Sequence, residues 1–153
     1  MPPETKKKFF SSLGVQLTTD EVVAELLRFM RAAPERRYRI TIGSDSEKRS
    51  DNTADFVTAI VIHRIGNGGR YFWRRLVPGK KYHTLRDRIT EEVLLSLDVA
   101  QELLASTRVA KLPAFDFEIH LDVGERGATK VMLTELVGMI RAHNFEARTK
   151  PDS

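Results

Sequence analysis

The chain has 153 residues, 41% of them apolar and 30% charged, with 25 Lys and Arg against 21 Asp and Glu for a net charge of +4 and a pI near 9.5. These totals suit one domain with a real core, exclude a disordered chain, and lean toward a polyanionic partner such as nucleic acid. No apolar run reaches the roughly 18 to 20 residues a spanning helix needs, and zero cysteines exclude disulfides and thiolate metal sites, which favours the cytoplasm.

Residues 1–18 read as a flexible basic arm, with Lys6, Lys7 and Lys8 in a row and no secretory signal pattern in MPPETKKKFF. Thr19 or Asp20 then caps a predicted helix over 21–31, where Val22, Val23, Leu26, Leu27, Phe29 and Met30 recur at helical spacing. In RITIGSDSE, residues 39–47, Arg39, Thr41 and Gly43 alternate with Ile40, Ile42 and Ser44. The period of two predicts a strand that stops at the glycine and delivers Asp45 to its carboxyl end. FVTAIVIHRI at 56–65 and RYFWRRLV at 70–77 predict two more strands, joined by a hairpin turn at Asn67, Gly68 and Gly69. A long amphipathic helix follows over 85–104, then a link containing Pro113 and a strand over 117–123 that carries Asp122 to its end. A helix over 129–143 and a short strand over 145–149 complete the series before KPDS. Three antiparallel strands followed by alternating helix and strand make an α/β fold, a mixed sheet with helices on its faces plus an N-terminal helix.

Two aspartates at two strand ends suggest one site, because carboxylates brought together repel unless a hard cation or a shared proton joins them. On the long helix, Leu85, Ile89, Val93, Ser96, Ala100 and Leu103 form the stripe facing the sheet. Glu92 borders that stripe, whereas Glu91, Asp98 and Glu102 fall on the side where solvated charges belong. Glu92 is therefore the helix acid placed to join Asp45 and Asp122, with pairing to Arg88 as the competing role. Asp152 near the terminus is a fourth candidate. Four dispersed histidines give no metal-binding spacing, and His120 reads as a sheet residue rather than a ligand. GSDS is not a nucleophile elbow, and GERG is not a phosphate-binding loop.

IGSDSE, RITEEV, IHLDVGERGAT, ELVGM and the closing KPDS together resemble the YkuK family of ribonuclease H-like proteins, over roughly 19–153. The resemblance implies a ribonuclease H-like domain over 19–153, in which acids of the first strand, first core helix and fourth strand hold divalent metal. Matched position by position, these are Asp45, Glu92 and Asp122, with Glu91 as a substitute for Glu92. In the superfamily the last acid often comes from a closing helix, which the resemblance sets after KPDS, so Asp152 is the candidate to replace it. A two-ion Mg²⁺ or Mn²⁺ phosphodiesterase acting on RNA, RNA/DNA hybrid or structured DNA is the function implied. Lys48, Arg49, Lys80, Lys81, Arg126 and Lys130 would guide the phosphates, and Tyr82 or Trp73 could stack on a base. The alternatives are a non-catalytic nucleic-acid-binding or assembly module on the same scaffold, and a structural domain whose acids only cap turns.

Overall fold

In a computed structural model, which describes residues 7–121 and 128–149, the latter with side chains from Met132 onward, the chain joins the sheet earlier than its sequence indicates. Phe9–Ser11 (β1) and Gln16–Leu17 (β2) pair antiparallel around a turn in which Gly14 takes φ +81°, a conformation glycine adopts without strain. The expected arm is thus sheet from Phe9 to Leu17. Phe9 is fully buried, and Phe10 stacks on Trp73 with ring centroids 4.8 Å apart. A two-residue aromatic run behind three lysines is too short for periodicity to reveal.

Helix α1, Thr19–Arg31, is capped by Thr18, one residue before the expected caps. Thr18 Oγ1 accepts from Glu21 N–H at 3.2 Å, and Glu21 Oε1 accepts from Thr18 N–H at 2.9 Å. This reciprocal pair satisfies two backbone donors at the helix start and holds the Glu21 carboxyl below its ordinary pKa, chiefly through the Thr18 backbone bond. Val22, Val23, Leu26, Phe29 and Met30 form the buried face.

The strands Tyr38–Lys48 (β3), Ala54–Arg64 (β4) and Gly69–Leu76 (β5) make the expected antiparallel meander. Two details differ from the sequence reading. β3 does not stop at Gly43 but continues through Ser44, Asp45 and Ser46, paired with Thr58, Val57 and Phe56 of β4. The β4–β5 turn begins earlier than Asn67, with Arg64 N–H donating to Gly68 O and positive φ at Gly66 and Gly68.

Helix α2, Leu85–Leu104, has the predicted bounds, although Leu85 at its start is 50% exposed instead of facing the sheet. A 3-10 turn, Thr107–Lys111, leads to Asp116–Leu121 (β6), then Ala128–Ala142 (α3) and Glu146–Thr149 (β7). The sheet order is β2-β1-β5-β4-β3-β6-β7, with β6 parallel to β3 and β7 parallel to β6. Parallel pairing follows from the crossover through α2, since a tight hairpin can join only antiparallel neighbours.

One core joins the inner face of the sheet, including Ile40, Ile42, Ile60, Ile62 and Ile119, to the buried stripes of α1, α2 and α3. Each of these isoleucines is at most 1% exposed and contributes roughly 1.5 to 3 kcal/mol by leaving water. Glu102, expected among the solvated charges, is instead drawn inward. It accepts from Thr19 Oγ1 at 2.7 Å and from Arg74 at 2.6 Å, with the paired side chains only 12% and 10% exposed.

Candidate active site

The site is built at the carboxyl end of β3. Among the described residues the β3–β6 ladder runs as far as Gly43 opposite His120, and Asp45 and Ser46 follow on β3, held on the other side by β4. Strand alternation turns Ser44 and Ser46 toward α2, on the same side as Ile40 and Ile42. Two hydroxyl contacts then join strand to helix. Ser44 Oγ shares hydrogen bonds with Ser96 Oγ at 2.7 Å and Thr58 Oγ1 at 2.8 Å, and Ser46 Oγ donates to Glu92 Oε2 at 2.5 Å. The spacing explains the match: two strand residues span about 6.6 Å and one helical turn about 5.4 Å. Ser44, Thr58 and Ser96 are all buried, so their mutual bonding removes the cost of three hydroxyls in a dry place.

The structure thus brings Glu92 to the carboxyl end of β3, against Ser46, which follows Asp45 in sequence but faces the other side of the strand. Asp45 is exposed and lines a groove of about 460 Å³ with Thr41, Gly43, Val57 and His120. Glu92 lines a small cleft with Ser44, Ile89 and Ser96. Ser44, His120 and Leu121 line both. Asp122 follows Leu121 in the chain, and it lies outside the described residues, as do Asp152 and Arg126 and the side chain of Lys130. Among the described residues, no group of three His, Cys, Asp or Glu side chains is placed to hold a metal ion.

Glu91 has a different task from the one its neighbour suits. Its Oε1 accepts from Tyr82 O–H at 3.0 Å, while Tyr82 N–H donates to Asn52 O at 2.7 Å. Tyr82 is 2% exposed and meets Phe56 edge to face at 5.2 Å. It is therefore unable to offer a face to a base, correcting that expectation, and instead pins the link before α2 to the β3–β4 turn. Burial, then the Glu91 bond and charge, pushes its phenol up to about 12. Trp73, the other residue expected to stack on a base, is covered on one side by Phe10.

Tyr82 also places Lys80 and Lys81, both exposed, at the end of the sheet that holds Lys48 and Arg49. Lys80 Nζ lies 5.9 Å from the Tyr82 ring, and Arg49 is engaged with Asp55 at 2.5 Å. The sequence reading missed the hydroxyl set and the Tyr82 pin. Extending the strand alternation two residues past Ser44 would have put Ser46 on the helix side with it.

A strand meander, a crossover helix and parallel strands, with acids at the end of the first long strand, define a recognisable class. A family model described as Ribonuclease H-like matches residues 21–153, and the chain belongs to that family. Within it the chain is similar to the uncharacterised protein YkuK of Bacillus subtilis strain 168, at 32% identity over 155 residues that cover 95% of this chain and 90% of that protein. No solved structure matches the chain. The resemblance read at the two aspartate segments is borne out at the level of family and fold. Among the described residues, no helix is long and apolar enough to cross a membrane.

Proposed function

We propose that the chain is a divalent-metal-dependent nuclease, hydrolysing phosphodiester bonds in RNA, RNA/DNA hybrid or structured DNA in the cytoplasm. The observation that carries this reading is the delivery of Glu92 by α2 to Ser46, next to Asp45, at the carboxyl end of β3. Asp45 and Glu92, with Asp122 as third donor and Asp152 as a further one, are hard oxygen donors that suit Mg²⁺ or Mn²⁺. When bound, a pair of such ions supplies a nucleophilic water at neutral pH and neutralises the leaving oxygen. Ser46 orients the Glu92 carboxylate by donating to Oε2. Glu91, committed to Tyr82, stays outside the donor set. Lys48, Arg49, Lys80, Lys81, Arg126 and Lys130 attract the backbone without choosing sequence.

A second reading, a nucleic-acid-binding module without catalysis, is favoured by one observation: Asp45 and Glu92 approach β3 from opposite sides. Incubating the protein with labelled single strands, duplexes and hybrids in Mn²⁺ separates the two. The nuclease reading expects cleavage that EDTA stops and that Asp45→Asn and Glu92→Gln each lower at least 100-fold, while Glu91→Gln does not. Binding without cleavage in either metal selects the second reading. Cleavage that persists in Asp45→Asn removes this site from the chemistry.

A further inference from the structure

We infer that a second site, over α1 and remote from Asp45, binds the backbone of a single-stranded nucleic acid. Two grooves meet there at Arg28, which lines both. The first, about 550 Å³, lies between the β1–β2 hairpin, α1 and β5 and contains Arg64 and Arg70. The second, about 410 Å³, lies between α1 and the 3-10 turn and contains Arg31, Arg108 and Lys111 over a floor of Ala24 and Leu27. Arg64 pairs in register with nothing beyond Tyr38, the first residue of β3, so these grooves lie at the opposite end of that strand from Ser46 and Glu92.

The charge in this track is unbalanced. Of the described residues lining the two grooves Glu25 is the one acid, and it is already engaged by Arg28 at 3.2 Å. Arg64 is fixed by neutral groups: it donates to Tyr38 Oη at 3.0 Å and to Phe29 O at 2.7 Å, with its guanidinium 4.0 Å from the Phe29 ring centroid. Arg70 lies 4.8 Å from the centroid of the same ring. A half-buried guanidinium held by a ring, a carbonyl and a phenol is oriented but keeps its full charge, which is the condition for capturing an external anion.

The arrangement calls for a repeating anion rather than a single one. Arg28 and Arg31 on α1 face Arg108 and Lys111 across the second groove, each pair three residues apart and so separated by about 5 to 6 Å along its wall. The first groove adds surface for something flat and apolar: Tyr71 is 48% exposed, Leu13 89% and Val15 55%. Cations in series beside an open aromatic ring suit a phosphate backbone with unstacked bases, whereas an acidic peptide would leave that apolar surface uncovered and a duplex would keep its base faces sealed.

The test measures binding of the full chain to a fluorescein-labelled 20-residue deoxythymidine strand in EDTA across a NaCl series, so that it is independent of metal and cleavage. Arg31→Gln/Arg108→Gln/Lys111→Gln should flatten the slope of log K against log salt by about 2 and weaken binding at low salt at least 10-fold. Tyr71→Ala should weaken it about 5-fold or more. These side chains are exposed, and unchanged melting shows that each variant is folded. The control Arg36→Gln/Arg141→Gln, exposed and outside both grooves, should change binding less than 3-fold. The inference is overturned if the unsubstituted chain does not bind, if the triple variant keeps its slope, or if the control loses as much. Displacement by poly-glutamate as readily as by the oligonucleotide, or equal affinity for duplex, overturns it as well.

Discussion

Arg74→Met removes a cation that ties four elements together, and the structure sets the size of the effect. Its guanidinium lies 2.6 Å from Glu102 Oε2 on α2 and 4.1 Å from the centroid of the Phe9 ring on β1, while the same oxygen accepts from Thr19 on α1. Removing one member of a buried ion pair costs about 3 to 5 kcal/mol, mostly because the remaining charge has lost its partner away from water. The side chains retain 12% and 10% exposure and Thr19 continues to donate, which places the expected loss near the lower end, about 3 kcal/mol. For a chain of this length each kcal/mol lowers Tm by about 2 to 4 °C, so the expected drop is about 6 to 12 °C. Thermal and urea unfolding of Arg74→Met, Glu102→Gln and the double variant supply a cycle, in which the double should lose about 2 kcal/mol less than the sum of the singles. A single variant melting within 2 °C of the parent, or a double variant that falls by the full sum, would refute the reasoning.

Three further outcomes follow from the contacts around the sheet. Tyr82 ionises near 12 when folded against about 10 when unfolded, so its contribution to stability is complete below pH 10 and lost as pH rises from 10 to 12. Urea midpoints across that window should fall more steeply in the parent than in Tyr82→Phe, which should itself cost about 1 kcal/mol at pH 7 by releasing Glu91. Glu118, 7% exposed, is held by Arg39 at 2.8 Å and Arg148 at 2.5 Å, so Glu118→Gln should cost about 2 kcal/mol and speed amide exchange in β7, measured by mass spectrometry. Thr18→Ala should lower stability by about 1 kcal/mol through loss of the α1 cap, and Thr18→Asp should recover most of it in the same melts.

What could be read before folding was whatever repeats locally. The α2 boundaries followed from a stripe of Ile89, Val93, Ser96 and Ala100 at helical spacing, and the β3–β4–β5 meander from branched residues on either side of Asn67, Gly68 and Gly69. What escaped was set by distant partners. The strand was expected to stop at Gly43, yet it continues through Ser44, Asp45 and Ser46 because β4 supplies a ladder and α2 supplies hydroxyl and carboxylate partners on one side. Glu102 looked solvated because helical phase cannot show that Arg74, on a strand far away in sequence, will meet it. Phe9 carries almost no local signal and is buried because β5 leaves an edge for it. At the candidate site the sequence placed Asp45 and Glu92 at one end of one strand; it could not show that they sit on opposite sides of that strand, since that depends on β3 continuing past Gly43.

The buried hydroxyls of Ser44, Thr58 and Ser96 act on α2 as a dowel acts on a hinge plate. Apolar stripes alone grip a sheet loosely, because a helix can slip by a turn and still find grease for grease. Displacing this helix by a turn would strand the Ser96 hydroxyl and break the Ser46–Glu92 bond, leaving Ser44 and Thr58 only each other, so its axial position is quantised, and Glu92, one turn ahead of Ser96, must surface at a single height above the strand.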